Sequence, residues 1–344
     1  MRSRRSLRLL LGLAVVLGLV FVLGACGGND EDDSAAQTET AKPTSLRVGY
    51  GFELDAGGVG DRVAFQTLEQ KTGIKAAYSV LGNPRNTIVA LQRGDIDIAK
   101  PGFYSTVEAI NQGAEMQIVL ATGMVSELVL AGVGVGSVAD LAGKRIGYHL
   151  PKDETEIFAR FVVTRAGLEG EVKLISLPES TNRATALAGG RLDAAVLEFV
   201  DYLRLAQEEP DMRLLANAKG LFPFPVTRVN VVKKDFGRKS PGLLQRITNG
   251  LLDGYESLYT DEGRERWIAE AKKSALEGES DEFVEQIYAF YRDVGMWPRR
   301  SDVPTQEAWN SGVRFRLDEG LLEPPVPSFQ QVFDVSFWRK AAGK

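Results

Sequence analysis

Ala90-Leu91-Gln92-Arg93-Gly94-Asp95-Ile96-Asp97-Ile98-Ala99 recurs 96 residues further on as Ala186-Leu187-Ala188-Gly189-Gly190-Arg191-Leu192-Asp193-Ala194-Ala195. The shared pattern is Ala-Leu-x-x-Gly-x-Ile/Leu-Asp-x-Ala. Upstream of each copy, Arg47-Val48-Gly49-Tyr50 recurs as Arg145-Ile146-Gly147-Tyr148, at an offset of 98. Two matches in nearly the same register predict two lobes of similar build.

Within each copy, short β-rich runs alternate with helical patterns. In the first, strands are expected at 46–51, 74–80, 96–99 and 116–121, with helices at 61–71, 84–93 and 104–112. In the second, strands are expected at 145–148, 172–176, 192–196 and 212–215, with helices at 154–166, 181–188 and 199–207. Such alternation implies an α/β fold of parallel sheets with helices on both faces. Gly94 and Gly190 stand where a helix must stop before a strand, as C-cap glycines do. The fold class read from the repeat is therefore α/β, two Rossmann-like lobes joined by a two-strand hinge.

The domain reading follows. Residues 45–123 plus 229–344 form the first lobe and 130–217 the second, with 124–129 and 218–228 as the hinge. The second connection carries Phe222-Pro223-Phe224-Pro225, and a strand at 230–233 then returns to the first lobe. Helices are expected at 241–258, 261–275, 281–294 and 305–317.

The N-terminus reads as an export signal. Arg2, Arg4, Arg5 and Arg8 precede an apolar run over 9–23, which meets Leu23-Gly24-Ala25-Cys26. The run is shorter than the roughly 20 apolar residues a bilayer span needs, and it suits a signal h-region. Leu-Gly-Ala-Cys resembles the bacterial lipobox, whose Cys takes a diacylglycerol. Cys26 is the only cysteine and so has no intramolecular disulfide partner. The reading is thus a lipoprotein signal peptide over 1–25, lipidation at Cys26, and a flexible acidic tether over 26–44 that buries too little to order itself. Ser3-Arg4-Arg5-Ser6-Leu7 is also a loose twin-Arg match.

Cleavage at that point removes four Arg and no acid, which leaves 37 cationic side chains against 46 carboxylates, a charge of −9 with His neutral. An acidic chain without a basic tract is a poor nucleic-acid binder, and no nucleic-acid partner is expected. His149 is the only histidine. One His and one Cys supply no ligand set for zinc, haem or iron–sulfur sites, so no metal and no cofactor are expected. The chain has no Gly-x-Ser-x-Gly elbow and no phosphate-binding Walker loop.

Residues 87–119 resemble the first lobe of the substrate-binding proteins of the nitrate/sulfonate/taurine type, which serve ABC importers and include relatives that bind thiamine-pyrimidine precursors. The likeness rests on the repeat motif at 90–99 and on Gly-Ala-Glu-Met-Gln-Ile-Val at 113–119. Ser-Val-Ala-Asp-Leu-Ala-Gly-Lys-Arg-Ile-Gly at 137–147 is similar to the family's lead-in to its second lobe, and Gly190–Ala195 to its later Gly-x-x-Asp-Ala stretch. The resemblance spans 46–216 and is weaker beyond. It implies a periplasmic binding protein type II fold, hinge closure on a small solute, and delivery to an ABC permease by a monomeric, lipid-anchored receptor outside the cytoplasmic membrane. It implies no enzyme. The relatives that make the thiamine pyrimidine use a Cys-rich stretch and several His, which are missing here. A solute sensor that signals without transport, or an exported enzyme on the same fold, are the alternatives.

In open α/β sheets, ligands bind beyond the C-terminal ends of the strands, beside helix N-termini that favour anions. The corresponding loops give Phe52, Glu53, Asn83, Arg85, Lys100, Phe103 and Tyr104 in the first lobe, then His149, Thr155, Glu198 and Phe199 in the second, and Phe222 from the hinge. Arg85 and Lys100 favour a sulfonate-like anion. The aromatic residues favour a flat, heteroaromatic or pyrimidine-like body. Glu53, Asp55 and Glu198 suit an amine. Asp97 and Asp193, inside the repeat, are expected to be structural.

Overall fold

The computed structural model describes residues 45–151, 153–320 and 322–344. The signal peptide, the tether and Cys26 lie outside the described residues.

The chain opens with β1 (Ser45–Tyr50), α1 (Val59–Thr72), β2 (Lys75–Val80), α2 (Pro84–Arg93), β3 (Ile98–Lys100), α3 (Phe103–Asn111) and β4 (Met116–Gly123). It crosses over and continues with β5 (Leu128–Val133), β6 (Arg145–Tyr148), α4 (Glu154–Arg165), β7 (Lys173–Ser176), α5 (Ser180–Ala188), β8 (Ala194–Glu198), α6 (Phe199–Glu208) and β9 (Met212–Asn217). A second crossing leads to β10 (Arg228–Lys233). The remaining helices are α7 (Phe236–Lys239), α8 (Pro241–Ser257), α9 (Asp261–Ala271), α10 (Asp281–Val294), α11 (Gln306–Asp318), α12 (Phe329–Val332) and α13 (Ser336–Ala341).

Two five-stranded sheets result, in the orders β2-β1-β3-β10-β4 and β7-β6-β8-β5-β9. The α/β, two-lobe reading holds, with one correction. The sheets are mixed rather than parallel. β10 runs antiparallel between β3 and β4, and β5 runs antiparallel to both β8 and β9. Each sheet thus contains the strand that follows a crossing from the other. Leu128 and Val129, read from sequence as hinge, already belong to strand β5, an apolar run whose first five residues are buried, without the alternation that marks a half-exposed strand. The crossings themselves are 124–127 and 218–227.

The repeat has a packing cause. In the first lobe the Asp97 carboxylate accepts from the Arg47 backbone N at 2.9 Å and from its guanidinium at 3.1 and 2.6 Å. In the second lobe Asp193 holds Arg145 the same way, at 2.9, 2.9 and 3.2 Å. A Cβ added at Gly49 would lie 2.5 Å from Ile96 Cδ1, and one at Gly147 would lie 2.4 Å from Leu192 Cδ1. The motif therefore locks the turn before β3 against β1 in the first lobe and the turn before β8 against β6 in the second.

The C-terminal helices complete the first lobe. Helix α8 lies against α1 so closely that a Cβ at Gly254 would stand 2.4 Å from Ala64 Cα. Trp267, Tyr288, Tyr291 and Trp297 form a fully buried aromatic cluster below it.

Candidate functional site

A cavity of about 1110 Å³ lies between the two sheets. The ends of β1 and β3, the first turns of α3 and α4, the end of β8, both crossings, α11 and the loop after it all contribute to its wall.

Charge dominates its floor. Lys100 Nζ is 3.0 Å from Asp61 Oδ2, and it donates to Asn230 Oδ1 at 2.6 Å and Thr122 Oγ1 at 3.1 Å. Both ions are buried, and burial pulls the Lys100 ammonium below its ordinary value, against the pull of Asp61. Arg228, the first residue of β10, donates from Nη2 to Asp55 Oδ2 at 2.7 Å and to Glu127 Oε1 at 3.1 Å. Burial works to lower Arg228, but Asp55 and Glu127 outweigh it and hold the guanidinium charged. Glu127, on the first crossing, also accepts from the Tyr291 hydroxyl.

Three carboxyls in the wall are pushed up. Burial is the first cause for Glu127, reinforced by Asp55. Burial also raises Glu154, against a hydrogen bond with Ser126. Glu198 reaches about 7: its carboxyl meets solvent, but protein crowds it within the cleft, and Glu127, Asp201 and Asp55 add their repulsion.

Nine of the twelve residues expected from strand ends line this cavity: Phe52, Glu53, Lys100, Phe103, Tyr104 and His149, together with Thr155, Glu198 and Phe222. Their roles differ. Phe52 and Tyr104 are large exposed aromatics, 59% and 41% accessible. Tyr104 is also held by Arg316 Nη2, which donates to its hydroxyl. Phe103 is buried against Phe224, Trp309 and Phe333 and supports the wall. Phe222 packs edge-on against Phe315. His149 Nδ1 is 3.2 Å from Asp153 Oδ2, and Thr155 Oγ1 accepts from the His149 N at 2.8 Å.

Three expected residues are elsewhere. Asn83 caps α2, its side chain accepting from Asn86 N at 2.9 Å, and Arg85 is exposed beside it. They follow β2, an edge strand, and neither lines the cavity. Phe199 is buried and stacks on Phe290 of α10, with ring centroids 3.7 Å apart. It joins the second lobe to the C-terminal helices instead of facing the cleft. The strand-end rule also missed Tyr50, Asp61, Glu127, Arg228 and Arg316, all in the wall. A charged residue at the entry to an apolar, β-rich run, as Glu127 before Leu128–Ala131 and Arg228 before Val229–Val232, was the available signal.

The expected anion site at a helix end is altered too. At α4 the backbone N–H groups of Thr155 and Glu156 are already taken by Asp153 Oδ1, at 2.9 and 3.0 Å. Among the described residues, no group of three or more His, Cys, Asp or Glu could hold a metal ion.

The NMT1/THI5-like family model matches residues 65–262, more than half of the chain. The chain belongs to the NMT1/THI5-like family. This NMT1/THI5-like chain is 27% identical over 180 residues to a protein of Brucella abortus named only as a binding protein, covering 52% of this chain and 55% of that one. It spans about half the length of the curated relatives it matches. Among solved structures, the sulfonate ABC transporter's periplasmic sulfonate-binding protein SsuA of Methylobacillus flagellatus superposes with a TM-score of 0.68 at 20% identity, over 88% of this chain and 94% of that one. The periplasmic nitrate-binding protein NrtA of Synechocystis gives 0.60 at 13% identity, over 88% and 89%. These neighbours share the periplasmic binding protein type II fold with this NMT1/THI5-like chain.

Proposed function

We propose that this protein is an extracytoplasmic solute-binding lipoprotein of an ABC importer. It captures a small organic solute between its lobes and delivers it to a membrane permease, without chemistry of its own. The observation that carries the reading is a single cavity walled by both sheets and by both chain crossings. A molecule seated there touches both lobes at once, so it binds best when they approach and shifts the population toward the closed form. Exposed Phe52 and Tyr104 offer flat apolar contact to an organic body rather than to a bare oxyanion. The lipid at Cys26 would keep a monomeric receptor beside its permease.

Small-angle scattering of the purified protein with and without a tight solute tests the reading. Compaction on binding, with the solute recovered unchanged, supports it. Turnover of the solute would replace it with an enzyme.

A further inference from the structure

We propose that the solute is an organic cation, an ammonium or amidinium group on an aromatic or apolar body, held by the carboxylates of Glu154 and Glu198 in the cavity between the lobes. The proposal rests on the solute-receptor reading above and specifies its ligand class.

The first observation is the charge inventory of the cavity wall. Among the described residues nine carboxylates line it against three permanent cations. Each cation is already engaged. Lys100 is consumed by Asp61, Thr122 and Asn230. Arg228 is consumed by Asp55 and Glu127. Arg316 donates to the Tyr104 hydroxyl, the Gly312 carbonyl at 3.3 Å and the Phe224 carbonyl at 3.4 Å. The N–H groups at the start of α4 are capped by Asp153. An incoming sulfonate or nitrate would have to displace one of these partners and then face the remaining carboxylates. In a cleft with low-dielectric walls, such an excess of one sign focuses a field that excludes anions and concentrates cations.

The second observation is the state of the carboxylates. The carboxylates of Glu53 and Glu198 have neither an ion-pair nor a hydrogen-bond partner among the described residues. Glu198 sits within the field of Glu127 and Asp55, and Glu127 is one of the charges that disturb Glu154. A bound cation placed among them would relieve that repulsion. A cavity of about 1110 Å³ has room for an organic cation with an aromatic or apolar body.

The third observation is independent of charge. Tyr50, at the end of β1, lines the cavity and is 8% accessible, an aromatic neighbour for the body of the solute. Phe52 and Tyr104 supply exposed π-faces, which attract cations as well as flat rings.

The test is calorimetric titration of the purified protein at about pH 8 with three matched probes: benzylamine, benzyl alcohol and benzenesulfonate. The expected result is that benzylammonium binds at least about tenfold more tightly than benzenesulfonate. Glu154→Gln and Glu198→Gln should each weaken the ammonium several-fold and leave benzyl alcohol unchanged. Tighter binding of the sulfonate, or cation binding that both Gln variants leave intact, overturns the charge assignment. If only the neutral or anionic probe binds, the solute-receptor reading stands and the cation reading falls. If none of the three binds, both readings lose their support.

Discussion

Arg228, the first residue of β10, and Glu127, on the first chain crossing, are tied to each other by an ion pair of 3.1 Å. The start of the strand that follows the second crossing is therefore braced against the first crossing, with Asp55 of the first lobe as the third member at 2.7 Å.

Removing the brace leaves two carboxylates without their cation. Arg228→Met is expected to destabilise the fold by about 2 kcal/mol, less than a fully buried pair because all three side chains retain some solvent contact. Arg228→Lys should recover part of this through charge alone. Urea unfolding followed by circular dichroism measures it, and a loss under about 0.5 kcal/mol for Arg228→Met would mean that the brace is ornamental.

The raised carboxyls make the empty protein acid-tolerant. Glu198 titrates near 7 in the fold against an ordinary 4.5. Between those values the folded chain holds a proton that the unfolded chain has released, so stability falls as pH rises from 4.5 to 7. Glu127 and Glu154 shift in the same direction. Scanning calorimetry without ligand should show the melting temperature dropping across this window, with a shallower slope in Glu198→Gln. An identical slope in the variant would remove Glu198 as the source.

The repeated Asp–Arg clamps are scaffold and not site. Asp97→Ala and Asp193→Ala should each cost about 1–2 kcal/mol, since a charged acceptor of backbone and guanidinium N–H groups is lost. The double variant should be close to additive, because the two clamps share no partners. Solute affinity should not change in either single variant, and a tenfold loss would contradict the assignment.

Two glycines of α8 should respond in opposite ways. Gly254→Ala drives a methyl into the Ala64 backbone at 2.4 Å and should destabilise by about 2 kcal/mol. Gly242→Ala has nothing within 4 Å and should be neutral or stabilise by about 0.5 kcal/mol through helix propensity. Paired thermal melts separate the two.

Much of the fold was legible because its devices are local. Gly94 caps α2 with a φ of 83°, Gly190 follows the Gly189 cap of α5 with a φ of 65°, and Asp97 and Asp193 come three residues after them. Such a turn leaves the same trace in both halves. Strand β5 was missed because both of its faces are packed and its partners β8 and β9 come much later in the chain. The antiparallel insertion of β5 and β10 is likewise a tertiary decision that no local pattern records. At the site, the strand-end rule worked for the central strands β1, β3, β6 and β8, whose loops open on the cleft. It failed after β2, where the edge position carries Asn83 and Arg85 away, and at Phe199, which a C-terminal helix claims. The Glu127–Arg228 brace joins residues 101 apart, and spacing within either segment says nothing of the other.

The place of β10 sets a schedule for the growing chain. Strands β3 and β4 do not pair with each other; the strand between them is residues 228–233, made only after the whole second sheet. As synthesis proceeds from the N-terminus, the second sheet can close while the first still has a missing rung and two unsatisfied strand edges. The lobe that begins first is thus the lobe that finishes last. Whatever accompanies the nascent chain must shield that open seam for more than a hundred residues of elongation.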